Sequence, residues 1–105
     1  MPKGRIAEAV AEAIERLDAE RDRAVVERAL EEAKGGNRGA AGLQETKEAL
    51  GEGRVDHLVF DAGIGEEAES LVRAALASSA RVTVVRDELA APLADAEGVA
   101  AVLRY

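Results

Sequence analysis

The only histidine of the 105-residue chain, His57, is the side chain best suited to proton transfer or metal binding near neutral pH. Either role needs partners, and the nearest carboxylates in the sequence belong to Asp56 and Asp61. If these residues form a strand, Asp56 points to the face opposite His57, because successive side chains alternate. The spacing therefore favours a structural histidine over a catalytic base or a metal ligand.

Other reactive side chains lack the neighbours that catalysis requires. The chain has no cysteine, which excludes disulfides, thiolate metal sites and cysteine nucleophiles. Ser70, Ser78 and Ser79 are not accompanied by a base and a group to orient it. A small stand-alone enzyme would need a polar pocket near His57, Asp61 and Asp87. We therefore predict no catalytic, cofactor-binding or metal-binding residues.

Two glycine-containing segments resemble phosphate loops only superficially. The segment Gly35–Gly42 does not fit the spacing of a Walker A loop, and it follows a predicted helix rather than a strand. We interpret it as a helix cap and turn, with a left-handed glycine just past Lys34. The segment Asp61–Gly65 follows a predicted strand, where α/β proteins often carry sites. We interpret it as an ordinary strand-to-helix turn.

Composition narrows the function classes further. With 14 basic and 21 acidic residues the formal net charge is −7, and the aromatic residues are one Phe and one Tyr. Such a chain lacks the positive electrostatic potential that attracts phosphates, and it has few aromatic side chains on which bases could stack. No apolar run is long enough to cross a membrane, and the N-terminus has no signal-like apolar core. We expect a single cytoplasmic domain. The many alanines, and the use of Arg over Lys, suggest a high-GC bacterium.

Hydrophobic periodicity predicts alternating helices and strands. A helical pattern covers Gly4–Ala33, and its apolar stripe lapses across Asp18–Arg23, so the helix either breaks there or projects beyond the domain. We divide the chain into a helical connector, residues 1–22, and an α/β domain, residues 23–105. Within the domain we predict helices at Leu43–Leu50 and Glu66–Ser78, strands at Val55–Phe60, Arg81–Val85 and Val99–Leu103, and a connector at Asp87–Asp95. The predicted fold is an α/β sandwich in which helices cover both faces of a central mixed sheet.

Two blocks of this chain resemble a known family. Residues Gly42 to Phe60 begin with Gly-Leu and an acidic residue, continue through a helix to Ala-Leu-Gly, and end in a hydrophobic strand. Residues Glu97 to Tyr105 are similar to a Gly-Gly-Ile-Ala-Ala-Ile-Leu-Arg-Tyr ending. Both blocks resemble the third, C-terminal domain of class I peptide-chain release factors of the eukaryotic and archaeal type and of Pelota. The family's variable insertion is replaced here by Asp61–Gly65.

The resemblance implies a function and a set of partners. It implies the fold shared with kink-turn-binding ribosomal proteins. It also implies that the chain is a non-catalytic interaction domain of a bacterial release-factor-like, ribosome-associated protein. Its expected partner is a protein, either a translational GTPase or the ribosome. Peptidyl-tRNA hydrolysis in the family belongs to a Gly-Gly-Gln loop of the middle domain, which this chain does not contain; Gly35-Gly36-Asn37 is not that loop.

The alternative is an RNA-binding domain of the kink-turn-binding type. Those relatives grip RNA with a loop that resembles Gly-x-Asn-Glu in basic surroundings, and this chain has Gln44 and Glu45 at the matching positions. Under the alternative, the RNA-binding residues are Lys34, Arg38, Gln44, Glu45 and Lys47. The acidic balance of the chain favours a protein partner.

Overall fold

A four-stranded mixed sheet forms the centre of the computed structural model, which describes residues 19–35 and 38–105. The strands stand in the order β1-β4-β2-β3. Strand β4 is antiparallel to both β1 and β2, whereas β2 and β3 run parallel. The strand bounds are β1 Gly39–Ala41, β2 Val55–Asp61, β3 Arg81–Val85 and β4 Val99–Leu103.

In the described residues, one helix precedes the first strand, and three helices and two 3₁₀ segments lie between the strands. Helix α1 covers residues 19–34 of the described chain. The others are α2 Leu43–Gly51, α3 Glu67–Ala77 and α4 Asp87–Ala90, with 3₁₀ turns at Ala62–Ile64 and Ala91–Ala96. None of the helices in this described part is long and apolar enough to cross a membrane.

The helices form layers on both faces of the sheet. One apolar cluster joins α2 and α3 to the face that carries Leu58 and Phe60. A second cluster joins α1 and α4 to the opposite face, through Val59 and Val102. The alternation of Leu58, Val59 and Phe60 between the two clusters follows from the two-residue period of a strand. The predicted α/β sandwich with a mixed sheet is confirmed.

Strand β4 is the best-protected element because it has a partner on each side and a helix layer on each face. All five of its residues are buried. Ala100 and Ala101 are both 0% exposed, so even the small side chains of this strand lie in the core. The predicted strand at Val99–Leu103 is confirmed at both ends.

The structure corrects three parts of the sequence-based interpretation. Strand β1 was not predicted, because Gly-Ala-Ala carries no β-branched side chain and becomes a strand only by pairing with β4. The predicted connector Asp87–Asp95 is instead α4 and a 3₁₀ segment, and its Leu93 is fully buried. Gly35 is not a left-handed cap, since its φ is not positive and its N–H donates to the Glu31 carbonyl.

A close backbone approach explains the glycine that begins β1. A Cβ atom added to Gly39 would lie 2.3 Å from the backbone nitrogen of Ala33. The last turn of α1 thus lies directly against the sheet edge, where only glycine fits. The helical prediction for residues 4–18, and with it most of the predicted connector 1–22, lies outside the described residues, as do Gly36 and Asn37.

Candidate interaction surfaces

His57 makes a structural cross-strand contact. Its Nε2 atom lies 2.6 Å from the Thr83 hydroxyl on the neighbouring strand β3, and the side chain is partly buried. Burial lowers the pKa of His57 below 6.5, and the nearby Arg81 guanidinium lowers it further. A neutral imidazole in this position links the two parallel strands, as the sequence interpretation favoured.

A bulge changes the position of Asp56. The register between β2 and β4 shifts between Val55 and His57, so the strict alternation used to place Asp56 opposite His57 does not hold there. The Asp56 carboxylate accepts a hydrogen bond of 2.9 Å from Arg81, and its charge acts on His57. The resulting polar cluster lies at one end of the sheet.

Within the described residues, His57 and Asp61 are not brought together. His57 lies four residues before Asp61 on β2, roughly 13 Å away at the rise of an extended strand. Asp61 instead accepts a hydrogen bond of 2.9 Å from the Gly63 N–H and so holds the turn into α3. The Ser78 hydroxyl donates to carbonyls of its own helix, whereas Ser70 is exposed on α3. Within residues 19–35 and 38–105, no group of three or more His, Asp or Glu side chains has the arrangement of a metal site.

The N-terminus of α2 is occupied by carboxylates of the chain itself. Glu97, which has a left-handed φ of 58°, accepts a hydrogen bond of 3.3 Å from the Leu43 N–H. Glu45 accepts one of 3.1 Å from the Ala41 N–H. Gln44, the other candidate here, donates to Glu48 at 3.4 Å. Because a helix N-terminus attracts anions, the Glu97 carboxylate is favourably placed beside Leu43, whereas Glu45 bonds back to β1.

The three basic residues of the RNA alternative are divided between the two sides of the sheet. Lys34 is exposed on the last turn of α1, and Arg38 is exposed just before β1. Lys47 lies on α2, across the sheet from α1, and its Nζ atom is 2.6 Å from the Glu67 carboxylate on α3. Gln44 and Lys47 line one groove with Glu97, whereas Glu45 lines a separate groove beside Gly39. The structure thus brings Gln44 and Lys47 together and leaves Lys34 on the other side of the sheet.

An acidic surface extends between α2 and β1. Glu45 and Glu48 on α2, with Glu52 just after it, line a groove of about 180 Å³ beside Gly39 and Arg54. The Glu52 carboxylate lies 3.8 Å from the Arg54 guanidinium. Arg54 is held by a hydrogen bond of 2.9 Å to the Tyr105 carbonyl and by the Tyr105 ring, 5.5 Å from its guanidinium carbon. We call this groove with its three glutamates the α2–β1 surface. The sequence interpretation did not single it out, although a glutamate at intervals of three and four residues is a visible signal.

Solved structures show the same fold in translation factors. The C-terminal domain of the peptide chain release factor from Methanosarcina mazei superposes with a TM-score of 0.86 over 99% of this chain and 94% of that domain, at 16% identity. Archaeoglobus fulgidus Pelota gives 0.80 over 90% of this chain and 32% of its own, at 22% identity. The archaeal translation termination factor aRF1 gives 0.70 over 94% of this chain and 29% of its own, at 34% identity.

These similarities establish the fold and its extent. The chain has the fold of the release-factor and Pelota C-terminal domain, which confirms the resemblance seen in residues Gly42 to Phe60 and Glu97 to Tyr105. It spans about a third of the length of Archaeoglobus Pelota, one of these longer factors. No protein-family profile and no curated protein sequence matches the chain.

Proposed function

We propose that this chain is a non-catalytic protein-interaction domain of a bacterial release-factor-like, ribosome-associated protein. Its process would be translation termination or ribosome rescue, in the cytoplasm. The observation that carries the proposal is the superposition on a complete release-factor C-terminal domain. Two further similar structures indicate the kind of partner: archaeal Pelota in a ribosome-bound state with ABCE1, and S. cerevisiae Dom34, which interacts with Hbs1.

The acidic α2–β1 surface supports a protein partner with a basic face. Its three glutamates are exposed or line the groove, and the whole chain carries a net charge of −7. Complementary charge raises association rates and selects among partners. A translational GTPase or a ribosomal protein with a basic patch fits this requirement.

Binding to ribosomes and to purified translational GTPases tests the proposal. The chain is immobilised, and the variant Glu48→Lys with Glu52→Lys is compared with the variant Glu66→Lys with Glu88→Lys. Both pairs change the charge equally, but Glu66 and Glu88 are exposed outside the α2–β1 surface. We expect the chain and the second pair to bind, and the first pair to bind roughly tenfold more weakly. The proposal would be contradicted if the chain bound neither ribosomes nor any of the GTPases.

The structure offers less support for the RNA alternative. A phosphate at the N-terminus of α2 would have to displace Glu97 from Leu43. Lys47 would have to give up its ion pair with Glu67. Both changes cost free energy, which lowers the affinity that RNA contacts could provide. A protein partner on the α2–β1 surface requires neither change.

A non-catalytic role is part of the proposal and has its own test. Among the residues that the structure describes, no nucleophile, base and orienting group come together around His57, Asp61 or Ser78. Each of the three makes a local structural contact instead. Purified chain added to stalled ribosomes should leave peptidyl-tRNA intact. Hydrolysis above the buffer rate would assign a reaction to this domain and overturn that part of the proposal.

A further inference from the structure

The two edge strands of the sheet, β1 and β3, differ in how many of their outward N–H and C=O groups are free to bond to another strand. On β1, Leu103 donates to the Arg38 carbonyl and Gly42 donates to the Val99 carbonyl, so the even-numbered residues face β4. The outward N–H of Ala41 is taken by Glu45 at 3.1 Å. This edge is three residues long and partly blocked, which is how proteins suppress unwanted strand pairing.

The β3 edge is open by comparison. The Asp61 N–H donates to the Gly98 carbonyl on the β4 side, so Leu58 and Phe60 direct their backbone groups towards β3. In the observed parallel register those groups bond to Arg81, Thr83 and Val85. The N–H and C=O groups of Val82 and Val84 therefore point outward, and no other described residue bonds to them.

An apolar surface lies beside this open edge. On α3, Ala68, Val72 and Leu76 recur every four residues on the side of the helix away from the Glu67–Lys47 contact with α2. Leu76 is 68% exposed and Val84 is 43% exposed, the two most exposed large aliphatic side chains of the described residues. A groove of about 460 Å³ runs along this side of α3 between Glu69, Arg73 and the three apolar residues.

We propose that this open edge and the apolar side of α3 form the interface of a symmetric dimer of this chain. Strand β3 pairs antiparallel with β3 of a second copy, about a two-fold axis that passes between the two Thr83 residues. In that register Val82 faces Val84 of the second copy, and the outward N–H and C=O groups of these residues bond to each other. The two four-stranded sheets then become one continuous sheet of eight strands.

The same axis makes the helix surfaces complementary. It sets the two α3 helices side by side and antiparallel, with the exposed Leu76 of each directed at the groove beside Ala68 and Val72 of the other. Glu69 and Arg73 border that groove and are joined within one helix at 2.6 Å. Because the two-fold axis reverses the helix, Glu69 of one copy lies opposite Arg73 of the other copy. A surface with both charges and this reversal fits a second copy of itself.

The dimer goes beyond the proposed function and is independent of it. It uses β3 and α3, whereas the α2–β1 surface lies at the opposite edge of the sheet. A chain that dimerises without binding ribosomes, or the reverse, would separate the two proposals.

Disulfide trapping tests the two-fold axis directly. The chain has no cysteine, so Thr83→Cys introduces a single thiol. Facing residues of an antiparallel pair that do not exchange hydrogen bonds lie about 4.5 Å apart at Cα, within the range that a disulfide spans. We expect mild oxidation to convert Thr83→Cys into a covalent dimer, and the exposed α3 control Ser70→Cys to remain mainly monomeric. Equal cross-linking of both variants, or none at position 83, would overturn the proposal.

Sedimentation of the unmodified chain provides the second measurement. From about 1 µM to about 1 mM we expect the mass to rise towards that of two chains. Leu76→Glu and, separately, Val84→Lys should each weaken the association by roughly tenfold or more, because each would bury an unpaired charge. Ser70→Glu, which adds the same charge as Leu76→Glu at an exposed position of α3, should have no effect. Circular dichroism of each variant verifies folding, and a monomer at every concentration would overturn the proposal.

Discussion

The carboxylate of Glu97 accepts a hydrogen bond of 3.3 Å from the backbone N–H of Leu43, across 54 positions of the chain. This contact joins a residue two positions before β4 to the first residue of α2. It also places a negative charge at the positive end of the α2 dipole. One side chain thus caps a helix and fixes that helix against the end of the central strand.

Replacing Glu97 should therefore destabilise the domain. We expect Glu97→Ala to lower the free energy of unfolding by about 1 kcal/mol, the usual effect of losing a helix cap. Glu97→Gln keeps an acceptor oxygen without the charge and should lose about half as much. Urea unfolding followed by circular dichroism measures both. Equal stability of all three chains would show that the contact contributes nothing.

Gly39 should tolerate no side chain. We expect Gly39→Ala to cost about 3 kcal/mol, because the added Cβ would lie 2.3 Å from the Ala33 backbone nitrogen, which cannot move without shifting α1. Gly51 is the matched control, since a Cβ there meets nothing within 4 Å. Gly51→Ala should stabilise the chain by about 0.5 kcal/mol. Thermal and urea unfolding of the two variants give the comparison.

Removal of β4 should abolish folding. The strand pairs with β1 and β2, and all five of its residues are buried. Its loss should remove several kcal/mol from the ~5–15 kcal/mol by which a domain of this size is stable. We expect a chain truncated after Gly98 to be unfolded or aggregated by circular dichroism and sedimentation. A soluble truncated chain with an unchanged cooperative transition is the contrary result.

His57 should make stability depend on pH below neutrality. Burial lowers its pKa in the folded chain below the unfolded value of 6.5. Above pH 6.5 both states are neutral at this residue, so it contributes no pH dependence. As the pH falls through 6.5, the unfolded chain binds a proton that the folded chain resists, so stability declines until the folded pKa is passed.

The His57→Gln variant isolates that contribution. It should unfold with a flatter dependence on pH between about 7.5 and 5.5, because the carboxylate contributions common to both chains cancel in the difference. Urea unfolding at a series of pH values measures the two curves. Parallel curves would mean that the pKa of His57 is the same in the folded and unfolded chains.

RNA should bind weakly and without dependence on the candidate basic residues. We expect neither a kink-turn RNA nor a random duplex to bind at micromolar concentration in ~150 mM salt, because phosphate contacts need clustered cations. The variant in which Lys34, Arg38 and Lys47 are all changed to Glu is the control. Micromolar binding that this variant loses would establish the RNA alternative and reject the protein-interaction proposal.

Elements with a local signal can be predicted from the amino-acid sequence. The β-branched run at Arg81–Val85 predicts its strand to the residue. The helical spacing of Ala68, Leu71, Val72, Ala75 and Leu76 predicts α3. Such patterns succeed because side-chain period and backbone conformation are set by the same few neighbours. The two blocks that resemble the release-factor and Pelota domain also supplied the fold before any contact was known.

The tertiary structure decided what depends on residues distant in the chain. Gly39–Ala41 becomes a strand only because β4 lies beside it, and the first N–H of α2 finds a side-chain acceptor only because Glu97 reaches Leu43. Lys47 lies across the sheet from Lys34 and forms an ion pair with Glu67, which is 20 positions away in the sequence. These contacts carry no local pattern, since the free energy that forms them comes from the packing of the sheet and its two helix layers.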